Sequence, residues 1–526
     1  MSSNTPFEPT GEPEFLTQGT PEPAPAKAGR TKVVVLAGVG VVAAGAIGIG
    51  AWGVAQFLGG GPGAASVLPD TALLYAAVDI DPSAGQKIEA IKTLKKFPAL
   101  DAVLGLDARD DVRRFVVERL VKDGTCKDLD YDAAVEPWLG DKLGVALLPG
   151  DGVPMPVIAI QVTDEGKAEA GIDRIFEACA PGEEHGLAFL DGYALVAPDD
   201  ETAEAAKAAA TKAPLSEDAR FKDALESVGE LGVATFYVSA EGPKALADSF
   251  LGGMMGAAGV PDQSEQLNKA LSDFKGAAGT IRFDGGGVEL AVAGAGLPSM
   301  GAGSTSIADL PASTIAALGF SLPEGWTDDF AAQIEGAFGP GMYEGMLQEA
   351  ESATGLKLPE DLEKIFGSDS VIALDGSTDF DAMVNSEDLS SVKAGLRVES
   401  DEAEVRRIAA ALLRAAGEPN GDFLKIKGAD GKVAVGFDEA YLDQLLAGGD
   451  LGSDETFRDA VPEAEKARFA FFVDFNAADD WLVRFAGSMT DGDKEFVENV
   501  RPLGAFGVSG WLEGDTGHLV LRLSTD

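Results

Sequence analysis

Residues 216–240 read SEDARFKDALESVGELGVATFYVSA, and residues 453–477 read SDETFRDAVPEAEKARFAFFVDFNA. Each opens on serine and acidic residues, runs through an amphipathic turn or two around Phe221 or Phe457, and ends on an apolar stretch carrying Phe236 or Phe471. Ser and Asp are favoured helix N-caps and period-two alternation marks a half-buried strand, so both segments predict a helix followed by a strand. The likeness extends outward in the same order. SVLPDTALLYAAVDIDP (66–82) is echoed by IADLPASTIAALGFSLP (307–323), and EPWLGDKLGVALLPG (136–150) by EKIFGSDSVIALDG (363–376). The offset stays between 227 and 242 residues, far too long a period for a stacked array, so two copies of one domain are expected. GAGLPSMGAGSTS (294–306) has no periodicity and reads as a linker between a first copy, 66–293, and a second, 307–526.

Within each copy short apolar runs bounded by Gly, Pro or Asp alternate with helical patterns. TALLYAAVDI, KLGVALLP, PVIAIQVT, GVATFYVSA, AAGTIRFDG and GVELAVAG predict strands, whereas DEGKAEAGIDRIFEACA, DETAEAAKAAATK and SEDARFKDALESV predict helices. IRFDGGGVEL and FLDGYALV predict hairpins around Gly-containing turns. Hairpins combined with helices imply an α+β fold: a mainly antiparallel sheet with helices packed on it, in tandem copies.

The chain has 526 residues, 45% hydrophobic and 24% charged, which suits several globular domains. Its formal net charge of -46 repels phosphate backbones and argues against nucleic acid as a partner. Residues 33–58 carry no charge, and Lys27, Arg30 and Lys32 precede them. At 1.5 Å per residue such a run exceeds the roughly 30 Å hydrocarbon core, so a single transmembrane helix is expected. The positive-inside rule puts the N-terminus in the cytoplasm and the ectodomain outside the cell membrane. Residues 1–32, rich in Pro, Glu, Thr and Gly, read as a disordered cytoplasmic tail.

DPSAGQKIEAIKTLKKFP, DLDYDAAVEPWLGDKLGVALLP and the segment from Ser216 resemble a family of membrane-anchored proteins common in actinobacteria, catalogued as domain of unknown function 3352. The resemblance covers nearly all of residues 66–526 and is most specific at Pro137-Trp138-Leu139-Gly140. It implies the tail-plus-anchor layout and lends no catalytic residue.

Chemistry-bearing patterns are few. The two histidines, His185 and His518, fall in different copies without zinc spacing. Ser272–Lys275 and Ser390–Lys393 fit S-x-x-K, but the K-T-G companion of penicillin-recognising enzymes is missing. DLDYD (128–132) begins like a calcium loop, yet Ala133 and Leu139 stand where Gly and Glu are needed. No catalytic residue, metal site or cofactor is therefore expected. Cys126 and Cys179, both in the first copy, are expected to form a structural disulfide outside the cell.

GQKIEAIKTLKKFP (85–98) carries four lysines and one glutamate, whereas its counterpart PEGWTDDFAAQIEGAFG (323–339) has Glu324, Asp328, Asp329 and Glu335 and no lysine. Local charge is thus +3 in one copy and -4 in the other. A helical wheel turns Ile88, Ile91, Leu94 and Phe97 inward and Lys92 and Lys96 outward, with Lys87 and Lys95 beside the apolar side. The aromatic pattern Trp326, Phe330, Ile334 and Phe338 is kept without the lysines, so packing does not require them. Lys87, Lys92, Lys95 and Lys96 are expected to face an anionic membrane or wall polymer, or an acidic face of the ectodomain itself. The functional expectation is a non-catalytic envelope module that binds or scaffolds a polymer, lipid or protein. The alternatives are a carrier for lipid or another apolar ligand, suggested by residues 240–260, and a wall-directed hydrolase using Asp/Glu pairs.

Overall fold

A computed structural model describes residues 62–79, 84–99, 112–150, 153–246, 272–296, 303–323, 325–339, 341–378, 391–418, 421, 423–477, 481, 483 and 494–526. The expected tail, the apolar run 33–58, and linker residues 297–302 lie outside these. Among the described residues no helix is long and apolar enough to cross a membrane.

The first half begins with a 3-10 turn at Pro62–Ser66, then β1 (Leu74–Asp79), α1 (Ala84–Lys95), α2 (Val112–Lys122) and α3 (Tyr131–Ala134). There follow β2 (Leu139–Leu148), β3 (Met155–Val162), α4 (Glu165–Cys179), β4 (Gly186–Leu190), β5 (Tyr193–Ala197) and α5 (Asp200–Lys212). It ends with α6 (Ala219–Val228), β6 (Ala234–Ser239), α7 (Gly242–Leu246), β7 (Gly276–Asp284) and β8 (Gly287–Ala295). The second half runs β9 (Thr314–Ser321), α8 (Trp326–Phe338), α9 (Met342–Thr354), α10 (Glu360–Phe366), β10 (Asp369–Asp375) and β11 (Ala394–Glu399). Next come α11 (Glu402–Ala415), β12 (Lys425–Ala429), β13 (Lys432–Gly436), α12 (Glu439–Ala447) and α13 (Glu455–Ala460). The chain closes with β14 (Phe469–Asp474), α14 (Lys494–Val500), β15 (Leu503–Glu513) and β16 (Thr516–Thr525).

The sixteen strands of the described residues form one antiparallel sheet, ordered β12-β13-β11-β10-β9-β14-β15-β16-β8-β7-β6-β1-β2-β3-β5-β4. The fold is α+β, as the patterning predicts, and adding eight to each strand of the first half reproduces the order of the second. The halves share that sheet through β8 and β16, paired from Val288↔Leu523 to Ala295↔Thr516. The β7–β8 hairpin closes at Asp284↔Gly287 and the β15–β16 hairpin at Glu513↔Thr516. With these closures equated, Ala291 and Val520 are equivalent positions, and they face each other across the seam. The seam therefore has the geometry of an isologous contact, with a local twofold axis perpendicular to the sheet.

Both expected hairpins are present. Asp191-Gly192 and Gly285-Gly286 take positive φ at both central positions, as two-residue turns matched to strand twist require. Gly294 and Ala295, read from sequence as the start of the linker, instead complete β8, and Thr305 donates its N–H to the Ala467 carbonyl at 2.7 Å. A side chain at 294 would meet the Ala277 Cβ at 2.8 Å, so this glycine serves close strand packing rather than flexibility.

Helices cover both faces toward each end. Along β5, Leu195 and Ala197 pack with α5 through Ala203 and Ala206, while Ala194 and Val196 pack with α4 through Ala168 and Ile172. In the second half α12 and α13 join one core through Leu442, Leu445 and Phe457, and α11 builds another around Val398, Val405 and Val433. Asp218 and Asp454 each cap a helix by accepting the N–H of Phe221 or Phe457 at 2.9 Å. Phe221 then meets Tyr237, and Phe457 meets Phe472, edge-on with centroids 5.1 Å apart in both halves. At the sheet's two edges a side chain takes an outward backbone group: Asp200 accepts from Leu187 N–H, and Arg406 donates to the Ile426 carbonyl. Blocking these groups guards against pairing with another chain.

Candidate functional site

The basic helix α1 lies at the seam. Gln86 bonds the Phe283 backbone twice, its amide nitrogen donating to the carbonyl and its oxygen accepting the N–H, both at 3.0 Å. The buried face consists of Ala90, Thr93, Leu94 and, just beyond the helix, Phe97, with Ala90 and Leu94 against Val233 and Phe283. The helical wheel is corrected here, because Ile88 is 41% exposed and Thr93 takes an inward place. Lys96 is corrected as well. Its ammonium donates to the Thr525 carbonyl at 3.1 Å and to Thr525 Oγ1 at 2.8 Å, so it ties α1 to the far half rather than facing solvent. Ala99 N–H adds a bond to Asn499 Oδ1 on α14. Lys92 is exposed and pairs with Glu89 at 2.9 Å; Lys95 is exposed; the Lys87 side chain lies outside the described residues.

The seam carries two unlike rows of side chains. In one, Arg282 of β7 and Arg522 of β16 bracket the buried Glu289 of β8, with Arg522 also 3.5 Å from Asp284. Two guanidiniums about one carboxylate satisfy a charge that would otherwise be costly to bury. In the equivalent row of the other half, Trp511 and His518 stack with centroids 5.0 Å apart and 5° between planes. Burial lowers the His518 pKa, which keeps the ring neutral near pH 7. Val520 packs into the first-half core, with Trp511 against it, so apolar contact as well as charge crosses the seam.

The acidic counterpart α8 does not repeat the α1 packing. Trp326 lies 6.2 Å from Phe366, and Phe330 lies 6.2 Å from Tyr343 of α9, while Phe330 remains 43% exposed. Ile334 is half-buried, and the Phe338 side chain lies outside the described residues.

The remaining sequence candidates are dispersed. His185 stacks on Phe176 at 4.0 Å and bonds Asp173 at 3.1 Å on the α4 side of the first half, apart from His518. In DLDYD, Asp130 accepts the Ala133 N–H as a cap and Asp132 pairs with Arg114, which holds its carboxyl below the usual range. Among the described residues no group of His, Cys, Asp and Glu could hold a metal ion. Ser390, residues 490–493 and residues 247–260 of the apolar stretch lie outside them. A groove of about 460 Å³ beside β12 is lined by Glu402, Arg406, Lys427 and Asp443, but its cations are matched, Arg406 to Glu402 and Lys427 to Asp443. Cys126 and Cys179 are bonded to each other, S–S 2.08 Å, as expected.

Sequence reasoning missed Gln86, Glu289, Arg522 and Thr525. Glu289 alone left a readable signal, a single acid at an inward position of the apolar run GVELAVAG. Replacing Lys96 by Met keeps most of the stem but removes both bonds to Thr525. The expected cost is about 1–2 kcal/mol, seen as a lower urea midpoint at unchanged m-value; an unaltered midpoint would show that the seam does not depend on it.

No curated protein and no solved structure matches the chain. Residues 33–186 match the family model described as Protein of unknown function (DUF3352).

Proposed function

We propose that the protein is a single-pass, membrane-anchored envelope module of non-catalytic character, its outer part made of two copies of one α+β domain. The observation that carries the two-copy reading is the strand order, identical in the halves at an offset of eight and joined at equivalent residues of β8 and β16. The anchor reading rests on the uncharged run 33–58 behind Lys27, Arg30 and Lys32, and the family match begins at Val33, the first residue of that run. A binding or scaffolding role is supported by where the polar groups go. Glu289 with its two arginines at the seam, Asp130 and Asp132 of DLDYD, and Arg406 and Lys427 of the β12 groove are engaged in caps and ion pairs that hold the fold.

Cysteine labelling of intact cells tests the layout. Ser453→Cys is expected to react with a membrane-impermeant maleimide, and Thr5→Cys only after permeabilisation, with both proteins in the carbonate-washed membrane fraction. Labelling of Thr5→Cys in intact cells, or recovery of the protein in the soluble fraction, would overturn it. A stoichiometric lipid recovered by mass spectrometry from the detergent-extracted full-length protein would replace the scaffold with the carrier reading.

A further inference from the structure

We propose that the acidic, aromatic face of α8 and α9 docks the basic outer edge of α1 from a second copy of this chain. Phe330 on α8, with Met342 and Met346 one turn apart on α9, are 43%, 44% and 51% exposed. Phe330 rests edge-on against Tyr343, the residue after Met342, so the helix pair α8–α9 is joined beside these exposed apolar side chains. By sequence α8 and α9 carry six acids, among them Asp328, Glu335, Glu344, Glu349 and Glu351, and no lysine or arginine. A helix pair that exposes apolar side chains including methionine and carries acids but no base of its own is a poor match for anionic lipid or nucleic acid. It fits a basic helix that presents an apolar side chain.

The chain itself supplies such a helix. Ile88 is 41% exposed on α1, and Lys92 and Lys95 follow it at i+4 and i+7 on the same stripe. Gln86 and Lys96 pin α1 to the seam. The α8–α9 face it fits is therefore that of another molecule. The local axis at Ala291 and Val520 is perpendicular to the sheet, so equivalent elements of the two halves share a face. Two chains related by a twofold can then make both α1 contacts at once and close as a dimer. The net charge of -46 opposes association over long range. At about 0.15 M salt the screening length is about 8 Å, so the contact charges decide.

The test uses the full-length chain in detergent, by sedimentation velocity at that ionic strength. Wild type is expected to dimerise. A variant with Lys92→Glu and Lys95→Glu has two acidic surfaces, and a variant with Asp328→Lys and Glu344→Lys has two basic ones. Each alone is expected to dimerise about tenfold more weakly or worse, because like charges meet. Mixed together they are expected to form a heterodimer, since every contact again joins opposite charges. All four substituted side chains are exposed or half-exposed, and the restored mixture shows that both variants are folded. A monomeric wild type, a single variant that associates as wild type does, or a mixture that stays monomeric would overturn the proposal. Association only with some other copurifying protein would assign the face to that partner and overturn it equally.

Discussion

Replacing Phe221 by Ala is expected to cost about 3–5 kcal/mol, and Phe457→Ala a similar amount. Both rings are essentially inaccessible, and each is the hub of its half's principal core. Phe221 meets Tyr75 at 5.5 Å and Tyr237 at 5.1 Å, both edge-on, so truncation removes two aromatic contacts along with the buried area. Phe457 has one such partner, Phe472. It is backed instead by contacts of the small helix α13 with β15, where a side chain at Gly507 would strike the Ala460 carbonyl. Neither site can collapse easily, because the sheet fixes one wall and the capped helix the other. We expect a single urea transition that both variants lower, since β8 and β16 pair over eight residues and Val520 belongs to the first-half core. Two transitions, each responding to one variant, would show that the seam does not couple the halves. A loss below 1 kcal/mol would mean the cavity refills.

Local chemistry made most elements legible. DETAEAAKAAATK spans the same residues as α5, because Asp199 caps it and Ala213 ends it. The two hairpins followed from Asp-Gly and Gly-Gly, whose positive φ the turns demand. The seam was not legible in the same way. β8 and β16 are separated by more than two hundred residues, and nothing in either strand's alternation distinguishes a pairing edge from a free one. That ambiguity is why Gly294 reads as linker although it lies in a ladder. The wheel of α1 failed for a related reason. Hydropathy assigns Lys96 to solvent and Ile88 to the core, but the carbonyl of Thr525 offers the ammonium a partner that sequence distance hides. Once that bond sets the helix rotation, Thr93 goes inward and Ile88 outward.

Arg397 shows the same limit within one half. It reads as an ordinary charged residue in the strand AGLRVE, yet it is buried and donates to the Leu445 carbonyl at 2.9 Å and to Ser306 Oγ at 2.7 Å. Its partners come from the end of α12 and from the segment before β9, so the charge is satisfied only after three distant pieces assemble. Burial pushes its pKa below the usual guanidinium value, though it stays charged at physiological pH. The asymmetry of the two halves arises from such residues. Arg282 with Glu289 and Trp511 with His518 occupy equivalent register pairs, and one gives the seam a charged row where the other gives it a stacked one.

Removing the disulfide by Cys126→Ser and Cys179→Ser together is expected to destabilise the first half by about 4 kcal/mol in the chain-entropy account. The bonded cysteines are 53 residues apart, so the cross-link restricts a long loop of the unfolded chain that holds β2, β3 and α4. In the folded protein it joins the segment after α2 to the last residue of α4. Lys127 N–H reinforces the junction by donating to the Ala178 carbonyl at 2.9 Å. What it protects is weakly held otherwise. Among the described residues the neighbouring core is small, with Tyr131, Ala134 and Val135 buried and Val117, Leu129, Leu139 and Ile175 partly so, and it is flanked by surface ion pairing such as Arg114 with Asp132. For a single cooperative unit of more than four hundred residues the loss corresponds to a fall in Tm of about 4 °C. Dithiothreitol should lower the wild-type Tm by the same amount and leave the double variant unmoved. The α2–α3 segment should also open first, because it loses its covalent tie while the sheet keeps its ladder. Limited trypsin digestion of the variant is then expected to cut at Lys122 or Lys127 before any site in the strands. Equal melting of oxidised, reduced and doubly substituted protein would show that the cross-link records proximity without adding stability.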